Sequence, residues 1–311
     1  MPALIDPPDQ RMLLDGTLTW LRANASFFDP PQEDELLDVA PEDIRPERSR
    51  KAFGELGLAL RLAKRCESIA EYDDLRWLSR TWVETARRRR IFFDMRRRIH
   101  LVPLLTVACA CLAAHGHPVE EAVASLQNVL HRHFIDRSES SAWNKVDLKY
   151  YLDLAGVRHE FPSDEMLART STLTRLPALP WATNYDWYGL THLVFHLTDF
   201  GRRDLAPLLG GPVDSIREYA GIALAICLAR QDWDLTAELL ITRLCLGVRG
   251  EALDREAVRA LVENQHAEGF MPGREWMASA IPEGDASARF FDVYHPTLLV
   301  LFLICSDLAL Q

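Results

Sequence analysis

Long apolar runs are missing from this 311-residue sequence. The longest covers eight residues, Leu298 to Cys305, and ends at Ser306 and Asp307; a membrane span needs about 20. The first residues, Met1-Pro-Ala-Leu-Ile-Asp, have neither the basic nor the apolar part of a secretory leader. Both absences predict a cytoplasmic chain with no membrane partner. CxxC pairs are absent too. Cys66, Cys109, Cys111, Cys227, Cys245 and Cys305 lie mostly in apolar stretches, and they read as buried thiols in a reducing compartment, not as a disulfide frame or a zinc site. Gly (15) and Pro (17) are too scarce for a long disordered chain. P-loops, GxGxxG turns and serine nucleophile elbows do not occur, which argues against kinase, dinucleotide-enzyme and hydrolase readings. Positive charge is in deficit, at a net −10, so nucleic acid is excluded as a partner for the whole surface.

The deficit is uneven. Between Leu75 and Arg98 nine arginines face only Glu84 and Asp94, a local +7, which leaves −17 for the remainder. Arg87, Arg90 and Arg97 belong to this run. Guanidinium forks suit phosphate, sulfate or carboxylate, and such a helix could dock an acidic carrier protein. The plainer reading is a solvated face balanced by the acidic rest of the chain.

With 48% hydrophobic residues the chain can bury a large core. Strand-like alternation is missing, and the apolar period is helical nearly throughout. It predicts helices at 9–25, 45–69, 72–93, 95–114, 118–134, 145–155, 163–173, 184–200, 213–230, 232–247, 252–264 and 294–309. Pro30-Pro31, Gly116 with Pro118, Pro177 with Pro180, and Gly210-Gly211-Pro212 separate them. We expect one all-α domain over 1–311. Its N-terminal helix and linker occupy about 1–40, and a long loop of a functional type spans 265–293. Twelve helices in antiparallel pairs predict an α/α toroid of about six hairpins. An open α-helical solenoid has the same count, although repeats of about 34 or 40 residues are not visible.

The most informative segment is Asn184-Tyr-Asp-Trp-Tyr-Gly-Leu-Thr-His-Leu-Val-Phe-His-Leu-Thr-Asp-Phe-Gly201. On a helix, Tyr185, Tyr188, Gly189, His192, His196 and Asp199 share about a third of the circumference. Trp187 falls on the apolar side with the leucines. The polar face has no Lys, Arg or Glu, so it resembles a pocket lining more than a solvated surface. His192 and His196 stand one turn apart and could share a ligand or a proton path. Asp199 could orient an imidazole for general acid/base work. Gly189 would admit a ligand close to the backbone, and Asp186 and Trp187 flank the face as further substrate contacts. A buried hydrogen-bonded cluster that only fixes packing is the structural alternative. No metal is expected, because H-x-x-x-H lacks the glutamate of H-E-x-x-H and no third ligand is evident by spacing. No cofactor is expected either.

Secondary candidates follow. Asp292, Tyr294 and His295 are expected to open the last helix, with Pro296 in its first turn. Trp181, Trp187, Trp233 and Trp276 could line an aromatic cavity, although such residues are more often core.

Two resemblances add to this. Gln265-His-Ala-Glu-Gly269-Phe270 resembles the Q-x-x-x-G turn after the outer helices of class II terpene cyclase and protein prenyltransferase β-subunit toroids, although the cyclase acid motif D-x-D-D is absent. The stretch T-H-x-x-F-x-x-T-D-F-G (191–201), with Tyr294-His-Pro-Thr297 and Leu18-Thr-Trp20-Leu21, resembles an uncharacterised actinobacterial helical family. That family accompanies natural-product gene clusters and more often has an aromatic residue where this chain has His196. The resemblance implies a helical domain and a role in specialised metabolism, and it brings Tyr294 and His295 into the candidate site. It assigns no catalytic residues.

The combined expectation is a metal-independent enzyme that closes a ring or performs an elimination on a small or carrier-bound substrate. His192, His196, Asp199 and His295 would be its acid/base residues. Tyr185, Tyr188, Gly189, Asp186, Tyr294 and Trp187 would contact substrate, and Arg87, Arg90 and Arg97 would bind anions. The alternative is a non-catalytic helical scaffold or carrier-protein partner that uses the Arg-rich helix. An oligomer is compatible with either.

Overall fold

The computed structural model describes residues 3–31, 45–88, 91–92, 99–133, 135, 137, 139–282 and 284–311. Among the described residues there are helices and turns and no strand, so the all-α class expected from the apolar period holds. In chain order the helices are α1 (Pro7–Ala23), α2 (Arg45–Lys64), α3 (Glu67–Ala70), α4 (Asp73–Arg88), α5 (Val102–Ala114), α6 (Glu120–His131), α7 (Ala142–Leu154) and α8 (Asp164–Thr170). They continue with α9 (Asn184–Leu197), α10 (Ala206–Leu209), α11 (Asp214–Ala229), α12 (Trp233–Cys245), α13 (Ala252–Asn264), α14 (Arg274–Met277) and α15 (Ala286–Ala309). Contacts divide the chain into two compact units. One comprises Met1–Trp20, Ser140–Asp147 and Pro162–Gln311, and the other comprises Leu21–Glu139 and Leu148–Phe161.

In the smaller unit α2 packs on α4 and α5. Trp82 of α4 is the anchor. Its ring stacks on Phe53 at 5.1 Å, and its indole N–H donates to the Phe53 carbonyl at 2.9 Å. The buried indole therefore keeps its polar atom satisfied. Cys109 and Cys111 of α5 lie in the same core, and burial pushes both thiols up to about 12. They act as small apolar groups.

The larger unit is built around α12, which packs against α9, α11, α13 and α15 and is buried on almost every side. Two buried ion-pair centres fix its surroundings. Arg243 of α12 meets Asp254 at 2.6 Å and Glu251 at 2.7 Å, which ties α12 to the start of α13. Asp307 of α15, fully buried, accepts from the Leu4 and Ile5 backbone N–H groups and pairs with Arg249 at 3.1 Å. The N-terminal segment is thereby fastened to the last helix.

The Q-x-x-x-G turn also docks the N-terminus. Gln265 Nε2 donates to the Leu13 carbonyl at 3.1 Å and to the Gly269 carbonyl at 3.0 Å. Gly269 has φ +94°, and a Cβ there would stand 2.0 Å from the Gly16 carbonyl oxygen of α1. Only glycine fits both demands.

The C-terminal expectation needs correction. The last helix starts at Ala286, capped by the Asp285 carboxylate, which accepts from Ala288 N–H at 2.8 Å. Asp292, Tyr294, His295 and Pro296 therefore lie inside α15 and not at its start. Pro296 sits inside the helix and not in its first turn; a proline is tolerated there when tertiary packing outweighs the lost hydrogen bond. The loop shrinks to 265–285 and contains α14. Asp292 caps that short helix and accepts from Glu275 N–H at 3.0 Å and Trp276 N–H at 2.8 Å. With 24 residues and a mean hydropathy of 1.4 over its most apolar window, α15 is long and apolar enough to cross a membrane, yet 72% of that window is buried within the protein.

Candidate functional site

Helix α9 is fixed at both ends by its own sequence. At the N-terminus the Asp186 carboxylate accepts from the Thr183 backbone N–H at 2.8 Å and from the Thr183 hydroxyl at 2.7 Å. Asp186 is thus a capping residue. At the C-terminus the T-D-F-G stretch is a helix stop. Asp199, Phe200 and Gly201 have φ of +47°, +56° and +83°, and Phe200 N–H reaches back to the Phe195 carbonyl at 2.7 Å. The helix ends at Leu197, so the helical projection that put Asp199 beside the histidines fails. Asp199 instead lies 3.9 Å from Arg202.

The carboxylate that meets both imidazoles is Asp147 of α7. Its Oδ2 lies 2.8 Å from His192 Nδ1, and its Oδ1 lies 2.6 Å from His196 Nδ1. Across the recess, α12 presents Asp234 and Glu238, one turn apart, and α15 presents His295. His295 Nε2 stands 3.4 Å from Asp234 Oδ1 and 3.6 Å from Glu238 Oε1. Glu238 links the two groups, since its Oε1 is 3.9 Å from His192 Nε2. Its other oxygen accepts a hydrogen bond from the Thr191 hydroxyl. Tyr188 OH donates to Asp234 Oδ2 at 3.0 Å. Three histidines, three carboxylates and a phenol thus converge from four helices, with no Lys or Arg paired to Asp147, Asp234 or Glu238 among the described residues.

Burial divides the cluster into floor and wall. The Glu238 and His196 side chains are only 1% and 4% exposed, whereas His192 keeps 30% and His295 21%. Desolvation is the largest influence on His192 and Asp234, although both side chains keep some contact with solvent. Burial alone would lower the His192 imidazole, but the Asp147 carboxylate outweighs it and raises the ring to about 9. Burial works upward on Asp147, and His192 and His196 overcome it, holding this carboxyl below its usual range. Asp234 is raised to about 6, by burial first and then by Glu238 and Asp232, against His295. Tyr188 is raised by burial and by the Asp234 and Glu238 charges, so its hydroxyl remains a donor.

The other expected contacts separate. Gly189 admits the Trp143 indole, whose Cδ1 would stand 3.2 Å from an added Cβ. A protein ring, not a ligand, therefore uses that space. Trp143 also meets the His192 ring edge-on at 5.3 Å, and its Nε1 has no acceptor among the described residues. Tyr185 packs on the same indole and is exposed. Trp187 is core, and Tyr294 is buried against Phe290 at 5.3 Å. The four tryptophans do not share a cavity: Trp181 is 84% exposed, Trp187 and Trp233 are core, and Trp276 packs on Phe270. Arg87 lies 3.3 Å from His117 Nδ1 in a groove of about 1240 Å³ in the smaller unit, with Lys64, Arg76 and Arg80. Arg90 and Arg97 lie outside the described residues.

A family model described as a domain of unknown function, DUF6895, matches residues 14–305. The chain belongs to this family. The DUF6895 match starts inside α1 and ends inside α15, so it takes in both compact units and every member of the cluster. No curated protein and no solved structure matches the chain.

Sequence reading missed Asp147, Asp234 and Glu238. A signal existed for the last two: they are acidic residues at i and i+4 in Trp233-Asp-Leu-Thr-Ala-Glu-Leu-Leu-Ile, an otherwise apolar helix start. An all-buried helix seldom carries carboxylates without a task. Asp147, between Lys145 and Lys149, looks like any solvated helix residue.

Proposed function

We propose that this chain is an enzyme of specialised metabolism that uses the recess between α7, α9, α12 and α15 for proton transfer on a small or carrier-bound substrate. The net reaction would be an intramolecular ring closure or an elimination, carried out in the cytoplasm. The observation that carries this reading is the convergence of His192, His196, His295, Asp147, Asp234 and Glu238 in one partly open cluster, with no Lys or Arg within ion-pair distance of its carboxylates among the described residues. Two fully buried structural carboxylates, Asp254 and Asp307, are by contrast closed off by arginine.

The geometry supports the following roles. His295, held between Asp234 and Glu238, is placed to take or give a proton, with Asp234 orienting it. Tyr188 keeps Asp234 in position. The Trp143 indole N–H is available to a substrate acceptor, and the His192 half binds and polarises the reacting group. A walled recess favours ring closure because it holds the substrate near its reactive conformer. The resemblance to a family that accompanies natural-product gene clusters supports the metabolic setting.

The test is mass spectrometry of metabolite extracts incubated with purified wild-type protein and with His295→Gln. Ring closure moves a feature in retention time at unchanged mass, and elimination removes a small neutral molecule. The expected result is such a conversion with wild type and at least a 100-fold slower one with the variant. Identical profiles from wild type and the Asp234→Asn/His295→Gln double variant overturn the reading.

A second reading has its own observation. The groove lined by Lys64, Arg80 and Arg87, with Glu71, Asp73 and Glu84 among them, keeps an excess of positive charge that suits an acidic carrier domain. Salt-sensitive binding of an acidic carrier protein to a variant that lacks recess activity would favour it.

A further inference from the structure

We propose that Asp147, His192 and His196 form a binding site for one divalent transition-metal cation of the zinc class. The donor set is two imidazole nitrogens and one carboxylate, from α9 and α7, and one ligand-type atom from each residue lies within 4.8 Å of the others. The sequence offered only H-x-x-x-H, a pair one turn apart, and the third ligand arrives from a helix 45 residues earlier in the chain. Three protein ligands with an open fourth position are the pattern of a reactive zinc site.

Four features of the site point to a cation. Both histidines turn the same nitrogen, Nδ1, onto the two oxygens of a single carboxylate, at 2.8 and 2.6 Å. The spacing needs little change. Ligand bonds of about 2.0–2.2 Å in a tetrahedron separate ligand atoms by roughly 3.4 Å, so the imidazoles must withdraw by less than about 1 Å. The outer nitrogen of His192 faces Glu238 at 3.9 Å, as a carboxylate behind a ligating imidazole does. Finally, His196 closes the inner side while His192 remains 30% exposed, which leaves the fourth position on the accessible side.

The charge balance leads the same way. Asp147, Asp234 and Glu238 bring three carboxylates into the recess, and no Lys or Arg among the described residues is paired with them. Buried charge is retained where it is paired or coordinates a metal. Two imidazoles against one carboxylate favour zinc-class ions over magnesium or calcium, which take mostly oxygen. The neighbouring group of Asp234, Glu238 and His295 is as compact, but its carboxylates already hold the Tyr188 and Thr191 hydroxyls. That half is left to acid/base work. The site shares its recess with the enzymatic reading and stands or falls separately from it.

The experiment uses full-length protein stripped with chelator and dialysed against Zn²⁺, with bound metal counted by mass spectrometry and Co²⁺ as the optical probe. The expected result is one equivalent of Zn²⁺, visible Co²⁺ ligand-field bands of a tetrahedral site, and a metal-dependent rise in Tm. His192→Gln should weaken binding at least 100-fold and abolish the Co²⁺ bands, whereas Asp199→Asn should bind as wild type does. His192 is partly exposed, so its variant is expected to fold, and circular dichroism checks this. A well-folded wild type that takes up no more zinc than the Asp147→Asn/His192→Gln/His196→Gln triple variant overturns the proposal. Zinc uptake without metabolite conversion sinks the enzymatic reading alone. Conversion that chelation leaves unchanged, in protein shown to hold no zinc, sinks the metal alone.

Discussion

Helix α12 carries two buried polar centres that differ in what balances them. Near its C-terminal end, Arg243 meets Asp254 and Glu251, and the charge is settled by a guanidinium that stays protonated at any working pH. About one and a half to two and a half turns earlier, Glu238 and Asp234 face His192 and His295, and no Lys or Arg among the described residues is within ion-pair distance of them. The first centre can only hold α13 in place. The second can exchange a proton or accept a cation. One apolar helix thus has a closed, structural ion pair and an open, reactive cluster within ten residues of each other, and the type of cation in each decides its use.

Breaking the closed centre should have the largest effect. Arg243→Ala leaves Asp254, which is 1% exposed, as an unpaired buried charge, and should cost about 3–5 kcal/mol, read from the denaturant midpoint at pH 7. A loss under 1 kcal/mol would mean that the guanidinium is not what holds α12 to α13. The open centre should answer in the opposite sense. Asp234 is raised to about 6 in the folded chain from an ordinary 3.8, so folding favours its protonated form. Its contribution to stability is present below about pH 4 and is lost as pH rises toward 6. Asp234→Asn should therefore be more stable than metal-free wild type at pH 7, by about 1–3 kcal/mol, with the gap closing by pH 4. A pH-independent difference would refute this account.

The smallest effect concerns a histidine with no carboxylate. His115 of the smaller unit packs edge-on against Trp82 at 5.9 Å. Burial, helped by Lys64, lowers its ring to about 4 from 6.5, whereas His192, with Asp147 beside it, goes up. A depressed histidine stabilises the fold above about pH 6.5, and that contribution is lost as pH falls toward 4. His115→Phe should remove this acid sensitivity, worth about 1–2 kcal/mol once partial solvent screening is allowed for, in melts compared at pH 7 and pH 4.5. Equal acid sensitivity in the two proteins would place the titration elsewhere.

How far the sequence could be read depended on whether a signal was local. The helices followed from the 3.6-residue period, and most boundaries fall within a few residues of expectation, because caps and breakers act over single turns. The end of α15 was legible and its start was not. Pro296 is a break by local rules, and only packing within the larger unit lets the helix run through it. Asp199 was misplaced for a related reason. The left-handed turn at 199–201 stops the helix two residues before it, and a Phe in that conformation gives no sequence warning. The helix count is also the same for hairpins closed into a toroid and for an open solenoid, since closure depends on contacts between distant helices.

By itself the sequence determined the all-α class, the polar face of α9 with its two histidines, and the placing of His295 among the candidates. The first two are properties of neighbours along the chain, written in period and spacing, and His295 entered through the resemblance to a helical family. Tertiary structure alone decided that Asp147 is the carboxylate both histidines meet, that Asp234 and Glu238 complete the recess, and that Arg243 closes off its own neighbours. The members of the histidine–carboxylate cluster on different helices are 45 or more residues apart and carry no mark of one another in the sequence, and it is the packing of α7, α9, α12 and α15 that brings their charges within reach.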